Sequence, residues 1–211
     1  YNDGNSYRLK VKTNNSSALC QFILPGLYIE ENTEIETGIG SDNLFDFSLN
    51  SGGIVYNRNF IKGLNLELDN RDSLLSIRMK GDNIRVAGMR MDSSIFTLKG
   101  KENLFDALFT IRNTSQEMSN ALIGTQIGFL KDSIRFTLDS NSHIMLKGNR
   151  WQLNPSNIIL ADSSVAIEGF RLTNGNQYLS ADGLLSKTKM DSLNLGLNQF
   201  DIKVFNLFLN R

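Results

Sequence analysis

Apolar side chains return at every second position in segment after segment of this chain, and no other feature constrains its fold as strongly. Leu64, Leu66 and Leu68 alternate with Asn65, Glu67 and Asp69, and Ile134, Phe136 and Leu138 alternate with Arg135 and Thr137. Val165 and Ile167 alternate with Ala166 and Glu168, and Leu193, Leu195 and Leu197 with Asn194 and Gly196. Successive side chains of a strand point to opposite faces, so a period of two gathers one set on a greasy face and leaves the other wet. These leucines, isoleucines, Val165 and Phe136 form the candidate apolar face. The same period recurs at Tyr7, Leu9 and Val11, at Phe45, Phe47 and Leu49, at Phe105, Ala107, Phe109 and Ile111, and at Ile144 and Leu146.

Short turn signals such as Asn174-Gly175-Asn176 separate the segments, so consecutive strands are expected to pair antiparallel. Asp-Ser opens a candidate strand at Asp72, Asp92, Asp132, Asp139, Asp162 and Asp191, and Lys80-Gly81, Lys99-Gly100 and Lys147-Gly148 close others. Asp and Ser bond their own backbone in turns, and glycine supplies the positive φ that ends a strand. The spacing suggests a unit of about ten residues, with turn composition alone as the competing explanation. The period slips phase at Gly88 and again at Gly169, which predicts a β-bulge at each. Leu19 to Leu24 reads as a strand broken by Pro25-Gly26, Ser51-Gly52-Gly53 and Lys80 to Asn83 as turns, and Gln116 to Met118 as the start of a helical turn. Ala121 to Leu130 is ambiguous, and Phe200 to Leu209 reads as a closing helix or one more strand. The expected fold is all-β: a mostly antiparallel, elongated sheet curled into a groove or wound as a solenoid, with short turns and little helix. A single domain over residues 1–211 is expected.

Charge excludes some partners. The chain carries 22 Lys and Arg against 22 Asp and Glu, so nothing draws it electrostatically to nucleic acid or to an acidic membrane surface. Cys20 is the only cysteine, which leaves no intramolecular disulfide and no cysteine-based zinc cluster, and its apolar neighbours make it a small buried hydrophobe. His143 is the only histidine and follows a turn, so neither a histidine metal site nor a histidine-assisted nucleophile has a second imidazole. Gly38-Ile39-Gly40 lacks the rest of a nucleotide fingerprint. Asp69 and Asp72 fall in a turn, and Glu30, Glu31, Glu34 and Glu36 line a solvated face or edge. Catalytic residues, metal ligands and cofactors are therefore not expected. No run approaches the ~20 apolar residues of a transmembrane helix. The polar opening Tyr1 to Ser6 and the apolar close Val204 to Leu209 suggest an internal segment of a longer protein.

One stretch carries a resemblance. The residues Trp151, Leu153 and Pro155, then Asp162-Ser163-Ser164-Val165, Ile167, Gly169-Phe170 and Leu172, then Gln177 to Gly183, then Leu193, Leu195, Leu197 and Phe200 resemble TamB-like proteins, the translocation and assembly module family, in their Bacteroidetes form. Upstream only the strand pattern matches. The resemblance implies a large envelope protein anchored in the inner membrane and spanning the periplasm as a long folded-over sheet with a greasy groove, related to AsmA-like and other bridge-like lipid transfer proteins. It implies phospholipid or unfolded outer-membrane protein strands as cargo and an Omp85-type outer-membrane barrel as partner of the full-length protein. The alternation alone equally fits a structural or adhesive envelope module, a β-sandwich or solenoid with a closed core, and a β-rich enzyme would gather carboxylates on one face.

Overall fold

A computed structural model of the chain describes residues 7–40, 44–86, 89–114, 118–187 and 191–201. The fold is all-β with little helix: the described residues form sixteen strands in one hydrogen-bonded sheet, antiparallel in every described pairing. The chain divides into two compact units between Lys99 and Gly100.

The first unit holds β1 (Tyr7–Thr13), α1 (Ser17–Ile23), β2 (Leu27–Ile29), β3 (Thr33–Ile39), β4 (Phe45–Tyr56), β5 (Asn59–Asp69), β6 (Leu75–Val86) and most of β7 (Met89–Lys101). The order is β1-β3-β4-β5-β6-β7, with β2 paired to β4 beyond the end of β3. β2 and β3 thus run as one interrupted strand along β4. The interruption is tied down by Thr33, whose hydroxyl donates to the Glu30 carbonyl (2.8 Å) and lies 2.7 Å from the Ser51 hydroxyl, with both side chains buried.

The second unit holds β8 (Leu104–Arg112), β9 (Met118–Phe129), β10 (Ser133–Leu138), β11 (His143–Leu146), β12 (Asn149–Leu153), β13 (Asn157–Ala161), β14 (Ser164–Asn174), β15 (Gln177–Ser186) and β16 (Leu193–Asn198). β9 and β14 are long, and a broken hairpin lies between them. β9 pairs through Thr125–Phe129 with β10 and through its first half with β11. β14 pairs with β13 before its bulge and with β12 after it. Ser142 fills the break. Its hydroxyl accepts the Gly124 N–H at 2.9 Å and donates to the Gly124 carbonyl at 3.1 Å, while its own carbonyl accepts the Leu153 N–H at 2.9 Å.

Several expectations are corrected. Leu19 to Leu24 is not a strand: Ser17–Ile23 is helical, with Asn15 Oδ1 accepting the Ser17 N–H at 3.0 Å and the Ser17 hydroxyl at 2.7 Å at its entry. The short apolar run is compatible with either structure, and local side-chain bonding starts the helix. Cys20 is buried on it. Ser51-Gly52-Gly53 does not reverse the chain but lies inside β4, and Lys80 to Asn83 lies inside β6. The Glu30 carboxylate lies over Gly52, where a Cβ would have to displace it. Asp92-Ser93 falls within β7 rather than at its start, and Lys99-Gly100 within the same strand, so the ten-residue unit does not hold. Strands β4 to β7 run 11 to 13 residues. Turn-forming residues tolerate positive φ and so serve equally as bulges, as Gly63 (φ 58°) and Asn83 (φ 51°) do. The bulge at Gly169 is present, with a register shift between Ile167 and Phe170 and φ of 68°. Gly88 lies outside the described residues. Ala121 to Phe129 belongs to β9, with Leu130 just past its end, and Met118 opens that strand, whereas Gln116 and Glu117 lie outside the described residues, as do residues 202–211. His143 follows the turn as the first residue of β11 and is half-buried.

Ser142→Ala would strip the buried Gly124 N–H of its acceptor, a loss of about 1–3 kcal/mol. The expected outcome is a lower urea midpoint at unchanged slope; an unchanged midpoint would show that the break is held by its backbone bonds alone.

Candidate functional site

Antiparallel partners share a face, so the register assembles the alternating residues into rows that cross the sheet. In the first unit one row is Leu9, Thr37, Phe47, Leu68 and Ile77, and the next is Val11, Ile35, Leu49, Leu66 and Met79. Leu64 continues the face opposite Ser51. The reverse face carries polar and charged rows: Lys10, Glu36, Ser48, Glu67 and Arg78 form one, and Lys12, Glu34, Asn50, Asn65 and Lys80 the next.

The second unit repeats the division. Phe129, Ile134, Leu160, Val165 and Leu185 form one apolar row, and Phe105, Ile127, Phe136, Ile158 and Ile167 the next, extended through Gly183 to Leu193. Farther along the strands come Ile111, Ala121, Ile144 and Trp151, then Leu153, Leu172, Leu179 and Leu197. On the reverse face Asp106, Gln126, Thr137, Asn157 and Glu168 make a polar ladder, with hydrogen bonds of 3.2 Å (Gln126 to Asp106), 2.9 Å (Thr137 to Asn157) and 3.1 Å (Asn157 to Glu168).

The apolar face of the second unit is sealed at one end and open at the other. Where β9, β11, β12 and β14 meet, Leu146 is 3% exposed and Trp151 6%, with the Phe200 ring set edge-on to the indole at 5.2 Å. At the β10 and β13 end, Leu160 is 38% exposed and Leu185 47%. A shallow hollow of about 400 Å³ opens beside that row, lined by Leu130, Ile134, Leu160, Asp162 and their neighbours. In the first unit, Phe47, Leu49, Leu66, Leu68, Ile77 and Met79 are half-buried although they lie on interior strands, and Leu9 at the edge is 60% exposed.

Of the candidate apolar face, Leu64, Leu66, Leu68, Ile134, Phe136, Val165, Ile167, Leu193 and Leu197 lie on or beside these rows, whereas Leu138 opposes Thr125 and Leu195 opposes Ala181. Leu64 and Leu138 are buried; Leu66, Leu68, Ile134, Phe136, Val165, Ile167 and Leu193 are half-buried; Leu195 and Leu197 are exposed. Ile134, Phe136, Val165 and Ile167 come together through β13, whose Ile158 and Leu160 the periodicity did not reveal because Ile158-Ile159-Leu160 is an unbroken apolar run. Such a surface can exclude water from an apolar ligand but offers no directional bond. Among the described residues no group of three or more His, Cys, Asp or Glu could hold a metal ion, and no helix is long and apolar enough to cross a membrane. No protein-family model, curated protein or solved structure matches the chain.

The charged face holds edge strand β1 against β3. Lys10 Nζ lies 2.5 Å from Glu36 and 3.7 Å from Glu34, Lys12 lies 3.3 Å from Glu34, and Arg8 reaches Asp46 at 3.4 Å across Gly38. The hydrogen bond from Lys10, then its charge, lowers the Glu36 pKa, and the same contact raises that of Lys10. The support this pair lends is present above the ordinary Glu value of 4.5 and is lost as pH falls through the depressed folded value. It is likewise lost as pH rises through the Lys10 value, above 10.5. A carboxyl-carbon NMR titration should place the Glu36 midpoint below 4.5, and Lys10→Met should move it upward. A midpoint unaffected by that substitution would remove Lys10 as the cause.

The contrast between sealed and open ends gives a second expectation. Leu146→Ala should cost about 2–5 kcal/mol of unfolding free energy, and Leu185→Ala less than about 1 kcal/mol, because only the first leaves a cavity. Equal losses in denaturant unfolding would mean that the open end is covered in solution.

Proposed function

We propose that this chain is a segment of a TamB-like, periplasm-spanning protein, anchored in the inner membrane as a whole, and that its apolar sheet face shields the acyl chains of phospholipid on the way to the outer membrane. In this reading it carries rather than catalyses, and the full-length protein delivers to an Omp85-type outer-membrane barrel. The observation that supports it is the open end of the apolar face, where in-register rows of Ile, Leu, Val and Phe stay half-exposed, while the reverse face carries the polar ladder from Asp106 to Glu168. Acyl chains demand nothing that such a face lacks. Burying about fifteen methylenes at ~0.8 kcal/mol each gives on the order of 12 kcal/mol before ordering costs. An unfolded outer-membrane strand would suit the face less well, because its N–H and C=O groups need partners that only a sheet edge supplies.

Organic extraction of the purified protein followed by mass spectrometry, with a β-sandwich of similar size as control, tests the reading. Stoichiometric phospholipid is expected. A protein that arrives empty and takes up neither added lipid nor detergent would overturn it in favour of a structural envelope module with a closed core.

A further inference from the structure

The open end of the apolar face in the second unit is bordered by two polar turns. Ser133 opens β10 and Ala161 closes β13, and the two residues are paired, as are Ile134 and Leu160 behind them. Residues 130–132 before β10 and residues 162–163 after β13 therefore reach the same border of the sheet. The first turn is tied to its strand by the Leu130 N–H, which donates to the Ser133 carbonyl at 2.8 Å. The hollow of about 400 Å³ lies at this border. Its lining is part apolar, with Leu130, Ile134 and Leu160, and part charged, with Lys131, Asp132 and Asp162.

These three charged side chains are exposed, and none is held in an ion pair with another described residue. Lys10, Lys80 and Lys147, by contrast, each meet a carboxylate. One ammonium group and two carboxylates at the mouth of an apolar row match a molecule that joins an apolar chain to an anionic and a cationic group. A phosphodiester of an amino alcohol at the head of an acyl chain has all three parts.

We propose that this border selects the head of the lipid: the phosphate of an aminoalcohol phospholipid meets Lys131, its ammonium meets Asp132 and Asp162, and its chain runs inward from Ile134 and Leu160 over Phe136 and Ile158. The proposal rests on the acyl-chain reading of the face. A head with phosphate but no amine satisfies Lys131 and sets its charge against two carboxylates. Like charges brought together at an exposed site oppose binding, though solvent and salt weaken the effect. The hollow therefore discriminates among heads modestly, while the apolar rows supply the affinity.

Equilibrium dialysis tests this with two single-chain phospholipids of one acyl length, each kept below its micelle concentration, one with a phosphoethanolamine head and one with a phosphoglycerol head. The ethanolamine lipid should be favoured by about two- to fivefold, the range that exposed ion pairs supply, and added salt should narrow the gap. Asp132→Asn with Asp162→Asn should abolish the preference and leave the glycerol lipid bound at least as well. Lys131→Met should weaken both phospholipids relative to a fatty alcohol of the same chain. All three positions are exposed, so melting curves should not move. Equal uptake of the two lipids, or a preference that survives the double substitution, would overturn this proposal and leave the acyl-chain reading standing. Failure to take up either lipid or the fatty alcohol would overturn both. Glycerophosphoethanolamine, the head without its chain, should compete poorly; competition as effective as the lipid's own would assign the hollow to a soluble phosphodiester and overturn the lipid assignment.

Discussion

Register is the constraint on which the two-faced character of this sheet depends. A slip of one residue between neighbours would carry every apolar side chain to the wet face, and the bulges answer that hazard. In β14 the apolar set changes from odd to even numbers between Ile167 and Phe170, while the partner strand keeps Leu185, Gly183, Ala181 and Leu179 in one unbroken phase. The extra residue at Gly169 absorbs the change, and the Asp182 carboxylate accepts the Gly169 N–H at 2.8 Å. In β5 and β6, Gly63 and Asn83 take positive φ, and beyond them Ile61 and Ile84 fold over Gly81, on the face already occupied by Ile77 and Met79. Phase slips in the sequence are thus the means by which one face stays apolar along long strands.

Buried hydroxyls hold the register where strands break. Ser142 bonds both backbone groups of Gly124, and Thr33 bonds Ser51 and the Glu30 carbonyl. Both residues are almost wholly inaccessible. A hydroxyl in such a place stabilises one pairing rather than the sheet in general, because any shifted register leaves it buried without its partners.

What the sequence reveals and what it conceals follow from the same physics. Alternation at Leu64 to Leu68 or Ile134 to Leu138 announces both the strand and its apolar side, since period and burial coincide there. Ile158-Ile159-Leu160 conceals its role because both faces of β13 are apolar and no period survives. Ser51-Gly52-Gly53 and Lys80 to Asn83 look like reversals, because positive φ and small side chains are what both a turn and a bulge require. Ser142 and Thr33 look like surface turn residues, their burial being set by strands distant in sequence. The exposure of the apolar rows is not legible at all: Leu146 and Leu185 are the same residue type in the same kind of strand, yet one is sealed by neighbours and the other meets water.

That difference sets the local stability of the second unit. At the sealed end, Leu146, Leu153, Leu172 and Trp151 remove nearly all their surface from water, so opening there forfeits packing together with hydrogen bonds. At the open end, Leu160, Val165 and Leu185 already leave part of theirs exposed, and separation of β10 from β13 sacrifices less. Fluctuations should therefore concentrate where the apolar face is accessible. Anything apolar that binds there adds contacts the bare sheet lacks and stabilises the folded state in proportion to its occupancy. A binding surface of the kind proposed, left as the unfinished part of a core, would couple an acyl chain to the fold without a dedicated polar site, and its selectivity among chains would reside in length and shape rather than in hydrogen bonds.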